Sequence, residues 1–278
     1  MATSKKITSA ASAIGDSLIS IVRIATSSRK GKSVSATPQE EPLVIMGNGP
    51  SLRDTIASHA ATLRRLPAMA VNFAANTPEF GELKPEYYVL ADPHFANTSD
   101  PEIGRLIDSI NNVSHPMTLL LPHGFDASVF TGANLTVRHF PAVAAEGLRP
   151  LRDAAIKCRL GMPRPRNVLV CAIMCGIWLG FREIYISGAD HTWTRTLSVN
   201  DRNEVVSIQP HFYSDSDAEK ERVTSVYRNV RLHEILDSFR IAFKAYHDIA
   251  DYASRHGIAV YNSTPGSFID AFERRPLP

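Results

Sequence analysis

"LVIMGNGPSL", residues 43–52, is the stretch on which the reading of the fold turns. The apolar run Leu43–Met46 breaks at once into Gly47-Asn48-Gly49-Pro50-Ser51, as a buried strand gives way to a tight loop. The helical spacing of "SLRDTIASHAATLRRL" (51–66) then follows, with Ser51 placed to cap it.

The same alternation continues outward. Strands are expected at "AMAVNFA" (68–74), "EYYVLAD" (86–92), "MTLLLPH" (117–123), "EIYISGAD" (183–190) and "IAVYNST" (258–264), with a short one at "NLTVRHF" (134–140). Helices are expected at "EIGRLIDSINNV" (102–113), at the mostly buried "RNVLVCAIMCGIWLGF" (166–181), and along residues 230–257, where an amphipathic pattern ends at Gly257. Strands separated by helices predict an α/β domain with a mostly parallel sheet and helices on both faces.

Composition excludes several classes. At 278 residues, 44% hydrophobic and 21% charged, the chain can bury a substantial core. A net charge of +2 supplies no global basic field, and no RRM, KH or zinc-finger pattern is present, so nucleic acid is not an expected partner. Cys158, Cys171 and Cys175 read as buried thiols on a core helix in a reducing cytoplasm, with no metal site implied.

Residues 1–41 differ from the remainder: Ser/Thr/Ala-rich, without aromatic side chains, and basic at Lys5, Lys6, Arg23, Arg29, Lys30 and Lys32. Ile7, Ala10, Ala11, Ile14, Leu18, Ile21 and Val22 recur at helical spacing, but the run is too polar to span a bilayer. The segment reads either as an amphipathic helix lying on a membrane surface or a partner, through residues 1–32, or as a disordered leader. It lacks the clean apolar core and cleavage site of a signal peptide, so a cytoplasmic location is expected, peripheral to the inner membrane in the first of these readings.

In wound parallel sheets ligands sit beyond the carboxyl ends of the strands, where turns are Gly-rich and helix N-termini present unpaired N–H groups. Those positions hold Gly47–Ser51, Asn72, Asp92-Pro93-His94, His123-Gly124, Ser187–His191 and Asn262–Gly266, a polar and turn-prone set. "GNGPSL" has neither the third glycine of a dinucleotide fingerprint nor the Lys-Ser/Thr of a P-loop. Gly47 and Gly49 allow close backbone approach, and Asn48 would offer a donor and an acceptor to a nucleotide or sugar.

"IMGNGPSL" (45–52), "VNF" (71–73), "LGFREIYISGAD" (179–190) and "QPHFYS" (209–214) are similar in order and spacing to the bacterial lipooligosaccharide sialyltransferases, which use CMP-activated sialic acid. "YHDIADYASRHGIAVYNSTPGS" (246–267) also resembles the broader MptE-like family, which includes flagellin glycosylation proteins and 6-hydroxymethylpterin diphosphokinases. The resemblance spans roughly residues 42–272 and implies one Rossmann-like, GT-A-like domain with residues 194–230 as a small lid.

Carried over, the resemblance implies that Asn48, Gly49, Ser51, Asn72, Asp92, Asn167, Gly188 and Asp190 bind the donor, with Arg166 beside Asn167, and that His211 is the general base. No metal and no cofactor beyond the CMP-sugar substrate is implied. Neutral imidazole suits proton removal from an attacking hydroxyl near neutrality, and His191 and His94 are rivals for the role. Where the sialyltransferases stabilise the leaving phosphate with two tyrosines after the "SG-x-D" turn, this chain has "HTWTRTLS" (191–198), with Thr192 and Ser198 near those places. Thr192, Arg195, Tyr213 and Lys220 are the candidates to replace them, or to contact the acceptor.

The function expected is therefore transfer of sialic acid, or a related nonulosonic acid, from a CMP-activated donor to a surface glycan, inverting and metal-independent; the resemblance also implies a homo-oligomer. The alternatives are an ATP- and Mg²⁺-dependent MptE-like diphosphokinase, for which Asp92 lacks a neighbouring second carboxylate, and a nucleotide-binding scaffold without catalysis.

Overall fold

The computed structural model describes residues 2–27, 29, 31–206 and 230–278, with side chains from Ala11 onward. Its centre is a sheet of eight strands, all parallel among the described residues: β1 (Leu43–Met46), β2 (Ala68–Val71), β3 (Tyr87–Val89), β4 (Met117–Pro122), β5 (Leu135–Phe140), β6 (Glu183–Ser187), β9 (Ala259–Asn262) and β10 (Glu273–Arg274). The intervening β7 (Ser198–Val199) and β8 (Val205–Val206) form a separate antiparallel hairpin. Spatial order in the sheet is β10-β9-β6-β1-β2-β3-β4-β5. The chain walks outward from β1 to β5, then returns to pair β6 on the other side of β1.

The helices are α1 (Ala2–Thr26), α2 (Leu52–Arg65), α3 (Pro78–Leu83), α4 (Pro101–Asn111), α5 (Arg149–Lys157), α6 (Val168–Leu179) and α7 (Leu232–Arg255). Strand alternation divides the core between two layers. Leu43 and Ile45 of β1, Met69 and Val71 of β2, and Ile184 and Ile186 of β6 pack against α6 and α7. Val44, Met46, Ala68, Ala70 and Tyr185 point the other way, onto α2, α3 and α4. Each such Val, Leu, Ile or Met side chain, removed from water, contributes roughly 1.5–3 kcal/mol.

α6 is apolar all round because it lies wholly inside, with Gly176 so close to Leu43 that an added methyl would fall 2.8 Å from Leu43 Cδ2. It carries buried Cys171 and Cys175, and burial pushes the Cys171 thiol up to about 12, so both are packing residues, not nucleophiles. Cys158 departs from the sequence expectation: it is exposed, at the C-terminal end of α5, because that helix runs over the surface.

α5 is tied to α7 by ions instead of by packing alone. Arg152, buried on α5, reaches Asp248 at 2.6 Å and Asp251 at 2.7 Å, and Arg255 bridges Asp153 at 2.7 Å. Among the described residues no helix is long and apolar enough to cross a membrane.

Candidate functional site

The order of strands reverses between β1 and β6, and in open parallel sheets this is where the carboxyl-end turns separate into a crevice. Here the two turns are stitched together. The Gly47 N–H donates to Ser187 O and the Gly49 N–H to Gly188 O, both at 2.8 Å. A methyl on Gly49 would stand 2.0 Å from Asp190 Oδ2, and Gly188 is in the left-handed region at φ 66°. The glycines of "GNG" and "SGAD" therefore allow one turn to approach the other, and the Gly49 N–H is consumed inside the protein.

Ser51 corrects an expectation. Its side chain makes no cap hydrogen bond to α2. Instead its Oγ donates to Asp190 Oδ2 at 2.8 Å, and its backbone N–H points to the same oxygen at 3.4 Å. Asp190 thus lies at the N-terminus of α2, where the helix dipole favours a carboxylate.

On the β2 side of this junction Asn48 and Asn72 come together. Asn48 Nδ2 donates to Val71 O at 3.1 Å, which fixes the amide and leaves Oδ1 buried without a hydrogen-bond partner among the described residues. Asn72 ends β2 at φ 50°, with its backbone carbonyl accepting from the Tyr88 hydroxyl, and its Oδ1 is also buried and unpartnered. Two orphaned acceptors in neighbouring turns are costly, at roughly 1–3 kcal/mol each, unless a bound donor group satisfies them. Asn72→Gly keeps the positive φ while deleting the acceptor. It is expected to weaken ligand binding about tenfold without lowering the melting temperature, measured by calorimetry alongside thermal unfolding.

On the other side a polar chain runs into the core. Asn167 caps α6: its Oδ1 accepts from the Val170 N–H at 3.2 Å and from the Tyr246 hydroxyl at 3.0 Å. With the tyrosine proton so used, His191 Nε2, 2.7 Å from that hydroxyl, is the donor to it. Asn167 Nδ2 is left buried and unpartnered, a third orphan. α6 precedes β6, so its N-terminus opens on the carboxyl edge.

His191 is held at φ 51° with its ring centroid 4.1 Å from that of Trp193. Burial pushes its imidazole down to about 3 from 6.5, so it is neutral at physiological pH and already engaged by Tyr246. That burial disfavours proton uptake on the ring. As pH falls, the unfolded chain takes up that proton first, so the stability contributed by neutral His191 is full above 6.5 and is lost as pH drops toward 3. His191→Gln is expected to remove up to about 1.4 kcal/mol per pH unit of acid sensitivity between about pH 6 and pH 4, read from urea unfolding; equal pH slopes would contradict it.

Other predicted residues lie further out. Asp92 is exposed at the end of β3 and accepts from the His94 N–H at 2.8 Å, while the His94 ring is 3.4 Å from Asp100 Oδ2. Thr192 opens a short 3₁₀ turn, and Arg195 at its end lies over the Phe268 ring at 4.7 Å. Because the Phe268 N–H donates to Asp190 O, that guanidinium stands beside the β6 turn. Arg166, exposed next to Asn167, donates from Nε to Ser238 Oγ at 3.0 Å. His211, Tyr213 and Lys220 lie outside the described residues.

Of the proposed lid, residues 194–206 and 230 are described. The β7–β8 hairpin is organised by Asn200, whose Oδ1 accepts from the Arg202 and Glu204 N–H groups at 3.0 and 2.9 Å. Val205 anchors it on α7 against Ile235 and Phe239.

Sequence reasoning passed over Tyr246 and Trp193. A tyrosine on the buried face of an amphipathic helix needs a partner for its hydroxyl, which is the signal that could have drawn attention to it. The turn after β9 is structural: Thr264 Oγ1 accepts from the Ala189 N–H at 3.0 Å and Ser267 Oγ donates to Ala189 O at 2.6 Å, latching this loop beneath the β6 turn.

A wound, all-parallel sheet with polar turns gathered at its switch point is a Rossmann-like α/β domain. Among solved structures this arrangement is shared by the MAf glycosyltransferase from Magnetospirillum magneticum AMB-1, with a TM-score of 0.51 and 14% identity over 95% of this chain. At that identity the likeness is one of fold, and the chain corresponds to 38% of that protein's length. The sequence matches no protein-family profile and no curated protein.

Proposed function

We propose that this chain is a glycosyltransferase that moves sialic acid or a related nonulosonic acid from a CMP-activated donor to a hydroxyl of a surface glycan, with inversion and without a metal ion. The observation that carries the reading is the set of unpartnered buried amide groups, Asn48 Oδ1, Asn72 Oδ1 and Asn167 Nδ2, flanking the switch point. Acceptors on one side suit the hydroxyl and amino donors of a ribose and a pyrimidine, and a donor on the other suits an anionic oxygen. A fold shared with a glycosyltransferase agrees with this as an analogy.

In this reading His211 removes the acceptor hydroxyl proton as that oxygen attacks the oxocarbenium-like anomeric carbon and the bond to the CMP phosphate breaks. Arg195, Arg166 and Thr192 are the candidates to meet the charge developing on the leaving phosphate. Asp190 serves position: its bond to Ser51 clamps the two glycine turns, the first of which carries Asn48.

Titrating CMP, CDP and ATP with and without Mg²⁺, followed by a transfer assay with CMP-sialic acid, tests the proposal. CMP binding without metal, together with turnover, is expected. ATP binding that requires Mg²⁺ would support a diphosphokinase, and CMP binding with neither transfer nor donor hydrolysis would leave a scaffold.

A further inference from the structure

α1 is docked the wrong way round for a helix that belongs to a core. The side chains it buries are Ser17 and Ser20: the Leu148 N–H donates to Ser17 Oγ and the Glu146 N–H to Ser20 Oγ, both at 2.8 Å. The fit is close, since a methyl on Gly147, itself at φ 94°, would fall 2.3 Å from Ser17 Oγ. Among its described side chains Ile24 is half-buried, near Gly161, while most of the large aliphatic residues face out. Ile14 is 52% exposed, Leu18 60%, Ile21 51% and Val22 61%, and at this spacing they form one stripe along the helix.

Leu148 and Leu151, also exposed, extend the apolar surface where α5 begins. Isolated exposed aliphatic residues are ordinary, but a contiguous stripe marks a surface that meets something.

Charge indicates what it meets. Residues 1–32 hold Lys5, Lys6, Arg23, Arg29, Lys30 and Lys32 against Asp16 as the single acidic residue, an excess larger than the +2 of the entire chain. The remainder is net negative, so the chain's excess of positive charge lies in this segment. An apolar stripe within a basic segment complements an anionic lipid surface, whereas a second copy of the same segment would bring like charges together.

We propose that α1 seats the protein on an anionic membrane surface, with Ile14, Leu18, Ile21 and Val22 entering the headgroup boundary and Ser17 and Ser20 holding the helix to the domain. Glu146, bonded on one side to Arg23 at 3.3 Å, accepts from Arg164 Nε at 2.9 Å on the other. Arg164 is three residues before Asn167, so the lipid-facing element lies on the side of the molecule where α6 begins. The inference stands independently of the donor assigned above.

The test is co-sedimentation of the full chain with vesicles of phosphatidylcholine alone and with about one-quarter phosphatidylglycerol. Binding is expected to the anionic vesicles and to weaken in high salt. Leu18→Asn/Val22→Asn, which alters exposed positions only, should reduce partitioning more than about tenfold with an unchanged melting temperature. Light scattering accompanies the measurement. No binding by the native chain, equal binding to neutral vesicles, equal binding by the double variant, or a native dimer that this variant dissociates would each overturn the proposal.

Discussion

Gly188→Ala is expected to lower the unfolding free energy by roughly 3 kcal/mol or more, and to abolish nucleotide binding with it. The added methyl would stand 2.5 Å from Gly47 O and 2.8 Å from Leu52 Cβ, on a residue whose φ of 66° already disfavours a side chain. Neither neighbour is the free end of a flexible group. Relief therefore requires separating the β1 and β6 turns, which breaks the Gly47–Ser187 and Gly49–Gly188 hydrogen bonds and moves Asn48. Gly257 provides the control: its φ is 65°, but nothing lies within 4 Å of an added methyl, so Gly257→Ala should cost only about 1–2 kcal/mol. Denaturant midpoints of the two variants decide the matter. Equal losses would mean that the turns yield and that their contact is not what holds the site.

His211→Ala is expected to reduce sugar transfer about a hundredfold or more while leaving CMP affinity unchanged. The reasoning is by chemistry, set against the two rival histidines. His191 is buried with its Nε2 on the Tyr246 hydroxyl, and the His94 ring lies beyond the end of β3, 3.4 Å from Asp100 Oδ2. The variant should also lose the acidic limb of the pH–rate profile, where protonated imidazole no longer accepts a proton. Activity within about tenfold of the native rate would remove His211 from the mechanism.

The central strands were legible because each is a short apolar run closed by turn residues. "LVIM" and "EIYIS" announce β1 and β6, and their Gly-rich ends announce the switch point. Position 167 was legible only through resemblance, since its partner Tyr246 is 79 residues away.

What the sequence concealed has physical causes. α3 is six residues with Gly81 inside it, and α5, though amphipathic, is nine residues that begin "RPLRD" without an N-cap side chain, so both are short and poorly marked at their starts. β10 is two exposed residues, defined only by pairing with β9. Local pattern placed Ser51 as a cap, but its hydroxyl found a carboxylate 139 residues away. Likewise, the glycines advertised close approach without saying to what, and the answer was another turn of the same protein.

The central claim is that the asparagines around the β1–β6 junction hold a cytidine-linked donor, and a crystal structure with CMP bound examines it most directly. Asn48 Oδ1 and Asn72 Oδ1 should each lie about 3 Å from a donor group of the nucleotide, with the phosphate toward the N-terminus of α6. CMP bound on another surface, or within this cleft with both carbonyl oxygens still unpartnered, would contradict the account.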